Sequence, residues 1–235
     1  AGGLFSESDL EMARRSLPAA VFRELYYCEP ADDGGNPFGI DSVRACAELN
    51  NGQPTGNPVR VWGLDIARKR DYAVLMGLDS NRHVSVMHRW HGLSYSSLVA
   101  EVTRIVGAGS KSCLFYDATG VGDAVGEQLV SSRLWCEAFI FSSASKQGLM
   151  EGLALALQQG RTSVLDGPHR AELEAFEYDV KQGRVVYGAP SGVHDDTVCA
   201  HALAWYGAER MGVTAQTRRA YMGSAVATTN RGTTW

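Results

Sequence analysis

No run of about 18 apolar residues occurs in this chain, so no segment is built to cross a bilayer as a helix. The opening stretch, Ala1 to Glu11, is polar and acidic, which excludes a secretory signal there. It also lacks an initiating Met, which leads to the expectation of a fragment or a processed chain. There is no Cys-x-x-Cys pair: Cys28, Cys46, Cys113, Cys136 and Cys199 are scattered and odd in number. That spacing argues against a zinc site and for reduced thiols in a cytosolic compartment. A Gly-x-x-x-x-Gly-Lys-[Ser/Thr] loop is missing too, so ATP hydrolysis is not expected. Positive charge is also short, with a formal net charge of −4. A stand-alone nucleic-acid binder normally carries a basic footprint. An acidic chain fits nucleic acid only if cations arrive with it and another module delivers the substrate.

What is present suffices for a packed core. The 235 residues are 45% hydrophobic and 20% charged, enough for one sizeable domain with extra segments or two small domains. Residues 1–57 read as a linker region with little core of its own. It has two helical pieces, Leu10 to Arg15 and Leu17 to Tyr27, and loop signals at Asp32-Asp33-Gly34-Gly35-Asn36-Pro37 and Asn50 to Pro58. The globular domain is expected over 58–211. Val59 to Ile66, Tyr72 to Leu78 and His83 to Trp90 are β-rich and joined by short turns, which predicts an antiparallel meander. Ser94 to Val106 sets Leu98, Val102, Ile105 and Val106 on one helical face. Ser112 to Asp117 and Trp135 to Phe141 are strands flanking a helix from Val121 to Leu134, an alternation that predicts parallel pairing. Helices near Ser145–Gln158 and Pro168–Val180, a hairpin around Arg184–Tyr187 and a last helix from Asp195 to Ala208 follow. The tail, 212–235, is rich in Thr, Ser, Ala and Arg and is expected to be disordered. This order predicts an α/β, ribonuclease H-like fold: a mixed five-stranded sheet, three antiparallel strands then parallel strands, flanked by helices.

Four aspartates stand out. Asp65 lies in the apolar run Val61-Trp62-Gly63-Leu64-Asp65-Ile66, where a charge is costly unless something pairs with it. The plain alternative is a strand-end Asp bonded to a turn. Asp117 ends Cys113-Leu114-Phe115-Tyr116-Asp117 and precedes Gly120 and Gly122, at the carboxyl edge where α/β sheets place their sites. Its plain alternative is a cap for the following helix. Asp195 and Asp196 open the last helix behind His194; one of them suffices as a cap, and the helix N-terminus helps keep the other ionised. Phosphodiester hydrolysis needs an activated water and a stabilised leaving oxygen, and two divalent ions supply both. Mg²⁺ and Mn²⁺ prefer carboxylate oxygens. Asp65 would bridge both ions, Asp117 would complete one site and a helix Asp the other.

The set resembles the nuclease domain of phage terminase large subunits, the motors that package DNA into capsids. The stretches that carry the resemblance are Gly63-Leu64-Asp65-Ile66-Ala67 with Asp71-Tyr72, Phe115-Tyr116-Asp117-Ala118-Thr119-Gly120-Val121-Gly122, Ser145-Lys146-Gln147-Gly148-Leu149 and Val186 to Asp196. The most specific piece is His194-Asp195-Asp196 ahead of the small-residue helix Cys199 to Ala204. The resemblance spans about 59–208, and Phe22 to Cys28 with Asp32 to Gly35 resembles the end of the family's ATPase half and its linker. It implies a metal-dependent endonuclease that cuts double-stranded viral concatemers with little sequence specificity, using two Mg²⁺ or Mn²⁺ ions. Asp65, Asp117 and Asp196 would hold them, with Asp195 in support or itself a metal ligand in some states. It further implies an ATPase domain, a small terminase subunit and the capsid portal as partners, no membrane, and the host cell cytoplasm.

Weaker candidates concern DNA. Arg68 and Lys69 in the turn after the Asp65 strand could touch the backbone, though a solvated turn explains them as well. Lys146 could meet phosphate or be a surface lysine. Lys181 and Arg184 flank the hairpin, and His194 could orient a ligand or face the scissile phosphate. Glu127 and Asp123 read as solvent-facing, and Arg218, Arg219 and Arg231 as a flexible arm. Two other readings stay open: a Holliday-junction resolvase or transposase-like nuclease, and a catalytically silent docking module on the same fold.

Overall fold

The computed structural model describes residues 6–29, 35–66, 72–120, 122–181 and 184–228. Its centre is a five-stranded sheet in which β1 (Val61–Asp65) is flanked by β2 (Tyr72–Leu78) and, on the other side, by β4 (Cys113–Asp117). β3 (Val84–His91) and β5 (Cys136–Phe139) are the edges, giving the order β3-β2-β1-β4-β5. The first three strands pair antiparallel, and β1–β4 and β4–β5 pair parallel. The expected mixed sheet is the one observed.

The two-residue period of a strand decides what each face meets. Trp62 and Leu64 of β1 and Ile66 just beyond it, with Leu114 and Tyr116 of β4, pack under α4 (Tyr95–Val106) and α5 (Gly122–Ser131). Val61, Cys113 and Phe115 point the other way, into a core shared with α6 (Ser143–Gln158) and α8 (Asp196–Thr228). Asp65 and Asp117 have the parity of this second face. Helix α8 can lie directly on β1 because Gly63 has no side chain: a Cβ there would stand 2.0 Å from the Ala200 carbonyl oxygen and 2.5 Å from the Ala204 nitrogen. Small residues on α8 and a glycine on β1 therefore set the approach that carries the start of α8 toward the end of β1.

Three differences from the sequence expectations have local causes. Residues 1–57 are not a bare linker: besides α1 (Glu7–Ser16) and α2 (Ala19–Tyr27), a helix α3 (Ile40–Glu48) forms. Its Val43, Cys46 and Ala47, with Val21 and Phe38, enter the main core. Each large side chain so buried contributes about 1.5–3 kcal/mol. The Asn36 amide clips this segment down, donating to the Leu173 and Glu174 carbonyls while its oxygen accepts from the Phe38 and Gly39 N–H groups. The helix expected over Pro168–Val180 ends at Ala175 as α7 (Pro168–Ala175). Phe176 turns extended, and the alternating Tyr178 and Val180 begin β6 (Glu177–Lys181), the first strand of a hairpin with β7 (Arg184–Gly188). Finally, α8 runs to Thr228 rather than stopping near Ala208 before a disordered tail. Gly212 costs a helix about 1 kcal/mol but does not stop it, and no proline follows.

Within α8 a buried histidine relay joins three parts of the chain. The Leu165 N–H donates to His169 Nδ1 at 3.1 Å, so His169 carries its proton on Nε2 and donates to His201 Nδ1 at 3.1 Å. His201 Nε2 then donates to Thr162 Oγ1 at 2.9 Å, and the Thr162 hydroxyl donates to the Arg82 carbonyl at 2.8 Å. Burial drives the His169 pKa down to about 3 and that of His201 well below the ordinary imidazole value, with His169 adding to the effect on His201. Among the described residues, no helix is long and apolar enough to cross a membrane.

Candidate metal centre

Asp65 and Asp117 are the last residues of β1 and β4, which run parallel with Gly63 opposite Phe115 and Leu64 opposite Tyr116. One further step in that register sets the two aspartates side by side. Beyond Asp117 the chain turns at once. Asp117 Oδ1 accepts from the Thr119 N–H at 2.8 Å, and Gly120 takes a φ of 75°, which a side chain would strain. The carboxylate thus closes a tight turn directly beyond the strand. Thr119 Oγ1 accepts from the Phe141 N–H at 2.7 Å, tying this turn to the end of β5.

The third carboxylate comes from α8. Asp196 is buried, and its Oδ2 accepts from the Tyr72 N–H at 3.2 Å, at the first residue of β2. His194 Nδ1 stands 3.5 Å from Asp196, with its ring edge-on to Tyr72. Asp195 diverges from its neighbour: its Oδ2 holds the Lys146 ammonium at 2.9 Å. The two adjacent aspartates therefore face different partners, one a strand and the other α6.

The electrostatics join them into one cluster. Asp65 has some exposed surface but is closely surrounded by protein. Burial first, then the charges of Asp196, Asp117 and Asp195, push its carboxyl well above the usual range, and Lys146 opposes them only partly. Burial pushes Asp196 up as well, to about 6, with the Tyr72 N–H pulling down and Glu172 pushing further up. Burial lowers the Lys146 ammonium, but Cys199, Asp195 and Asp65 outweigh it and leave its pKa raised. Within this set of four carboxylates, Asp195 and Asp65 thus share one lysine. Such a set of hard oxygen donors fits divalent cations, and Lys146 Nζ stands in for part of the missing positive charge. Among the described residues no three His, Cys, Asp or Glu side chains are closed to metal-ligand spacing. The aspartates are neighbours that repel one another, not a preformed cage.

The sequence candidates divide accordingly. Asp65, Asp117, Asp195, Asp196, His194 and Lys146 come together, although Lys146 sits on Asp195 and not on an open surface. Lys181 and Arg184 pair across the hairpin, and their side chains lie outside the described part. Arg68 and Lys69 lie outside the described residues altogether. Sequence reasoning missed Tyr72, Arg89 and Glu172. The unsatisfied charge of an arginine inside the β3 alternation was the only hint.

No protein-family model matches the chain. The terminase large subunit of Thermus phage G20c is 30% identical over 203 residues, 82% of this chain and 42% of that protein. The chain thus spans about two fifths of that relative's length. The solved large terminase nuclease from the same phage superposes with a TM-score of 0.58 at 28% identity, over 63% of this chain and 81% of that one. That nuclease has also been solved with bound magnesium, at the same TM-score and identity, over 80% of that chain. The HK97 bacteriophage large terminase shares the fold, with a TM-score of 0.57 at 18% identity over 88% of this chain and 52% of its own. In sequence and in fold, the chain belongs to the phage terminase large-subunit family, through the region those structures present as the nuclease.

Proposed function

We propose that this chain is a metal-dependent endonuclease that cleaves double-stranded viral DNA concatemers during genome packaging, with low sequence specificity. The observation that carries the reading is that Asp65, which ends β1 beside the end of the parallel strand β4, feels the charges of Asp117, Asp195 and Asp196 together. The relatives support it, since the magnesium-bound G20c nuclease aligns with this chain. In this reading Asp65, Asp117 and Asp196 would hold two divalent ions, Mg²⁺ or Mn²⁺. Bound there, they would activate water and neutralise charge on the leaving oxygen. Asp195 holds Lys146 at the rim, and His194 orients Asp196 from outside. The acidic charge of the chain implies that DNA is delivered by other parts of the motor: an ATPase half, a small subunit and the capsid portal, in the host cytoplasm.

The test is cleavage of supercoiled plasmid with Mn²⁺ or Mg²⁺, beside Asp65→Ala and Asp117→Ala. The wild type should nick the plasmid, and both variants and added chelator should reduce cutting about a thousand-fold or more. Cutting that persists in Asp65→Ala sinks the site assignment. No cutting with any metal leaves a docking module, and a strong preference for branched over linear duplex would favour a resolvase.

A further inference from the structure

Behind Asp196 lies an ion pair that touches none of the other three aspartates. Glu172, on α7, is buried and uses both carboxylate oxygens. Oε1 receives Arg89 Nη2 of β3 at 3.0 Å. Oε2 accepts from the Thr197 N–H at 2.8 Å and the Thr197 hydroxyl at 2.6 Å. Thr197 follows Asp196 in the first turn of α8, where backbone N–H groups have no partner within the helix. Glu172 thus caps α8 from a different helix and fixes the backbone that carries Asp196. Arg89 closes the loop on the other side. Its guanidinium lies 3.5 Å from the centroid of the Tyr72 ring, and the Tyr72 N–H is the group that donates to Asp196. Arg89 Nε has no hydrogen-bond partner, so this side chain is held by Glu172 and by the ring.

We propose that Arg89 and Glu172 form a positioning clamp that holds Asp196 from both sides, by its backbone through Thr197 and by its carboxylate through Tyr72. The inference rests on the metal reading above and deepens it. A buried ion pair adds little stability over apolar side chains of the same size, so its use is better sought in geometry. Groups that orient a metal ligand typically set affinity by ten- to a hundred-fold. Arg89 and Glu172 are therefore positioning residues, not catalytic ones.

Mn²⁺ binding to the 235-residue chain, followed by the electron paramagnetic resonance of the free ion, tests this apart from cleavage. Wild type is compared with Asp65→Asn, Arg89→Met, Arg89→Lys, Glu172→Gln and Thr197→Val, each with its thermal unfolding curve. Arg89→Met and Glu172→Gln should bind Mn²⁺ about ten-fold more weakly while still unfolding cooperatively. Arg89→Lys, which keeps the charge toward Glu172, should recover part of the loss. Thr197→Val, which keeps the backbone bond, should show a smaller deficit. A purely structural pair would lower the unfolding temperature and leave the affinity of the folded protein unchanged, and that result overturns the clamp. Should Arg89→Met fail to fold, Glu172→Gln and Thr197→Val decide alone: wild-type affinity in both overturns it. Wild type that binds no Mn²⁺, or Asp65→Asn that binds as well as wild type, sinks the metal reading instead.

Discussion

Two buried polar groups sit close together along α8, and they are finished differently. The histidine relay is closed: Leu165, His169, His201, Thr162 and Arg82 use each donor once on one acceptor, with both imidazoles neutral. The aspartate cluster is open: Lys146 serves Asp195 and Asp65, and burial and mutual repulsion push Asp65 and Asp196 upward. A satisfied network holds a fold together at no further demand. An unsatisfied one is retained where something else completes it, which is why the aspartates and not the histidines point to a ligand.

The contrast can be broken hardest at His169. His169→Ala orphans the Leu165 N–H and one nitrogen of His201 and leaves a void, so it should cost about 3–4 kcal/mol in urea unfolding. Metal affinity of the folded protein should stay at the wild-type level; a parallel loss would mean that the two clusters are one. Gly63→Ala should fail to separate them. Its Cβ would press on the backbone of α8 at Ala200 and Ala204, costing about 2–3 kcal/mol. The same displacement moves Asp196 from Asp65, so stability and cleavage should fall together. Unchanged cleavage in Gly63→Ala would show that the contact of α8 with β1 does not set the site.

The smallest effect has the opposite sign. The carboxyl of Asp196 titrates at about 6 in the fold against an ordinary 3.8. Below 3.8 both states are protonated and no penalty exists; as pH rises through 3.8 to 6 the unfolded chain ionises first and the fold loses stability. Asp196→Asn should therefore stabilise the metal-free chain above pH 6, on the order of 1–2 kcal/mol, with the gain fading toward pH 4. The histidines slope the other way: neutral in the fold, with His169 at about 3 against 6.5, they lose stability as pH falls below 6.5. Unfolding in chelator from pH 4 to 8 reads both slopes. A variant no more stable than wild type at pH 7 would mean that Asp196 is not under electrostatic strain.

Much of the fold was legible because strand alternation and strand–helix alternation are local. Val61, Gly63 and Asp65 share one parity, as do Cys113, Phe115 and Asp117, and the antiparallel-then-parallel order follows from connection lengths. The aspartates of the candidate site were legible because each sits at or beside an element's end. What stayed hidden depended on contacts far apart in sequence. Helix α3 lies between two loop signals, and only Phe38, Val43 and Cys46 meeting the main core reveal it. The end of α7 was obscured because Leu173, Phe176 and Val180 fit a helical stripe as well as a helix followed by a strand. Lys146 read as a phosphate contact or a surface lysine, since nothing local showed its partner Asp195. Arg89, Glu172 and Thr197 meet only once β3, α7 and α8 are packed.

The side-by-side ends of β1 and β4 have a consequence for biosynthesis. A ribosome that has released the sheet has released Asp65 and Asp117, but the carboxylate that would complete the proposed site waits on α8, which follows the sheet in the chain. Under the proposed function, the site would then be assembled in a single later step, when α8 docks on Gly63.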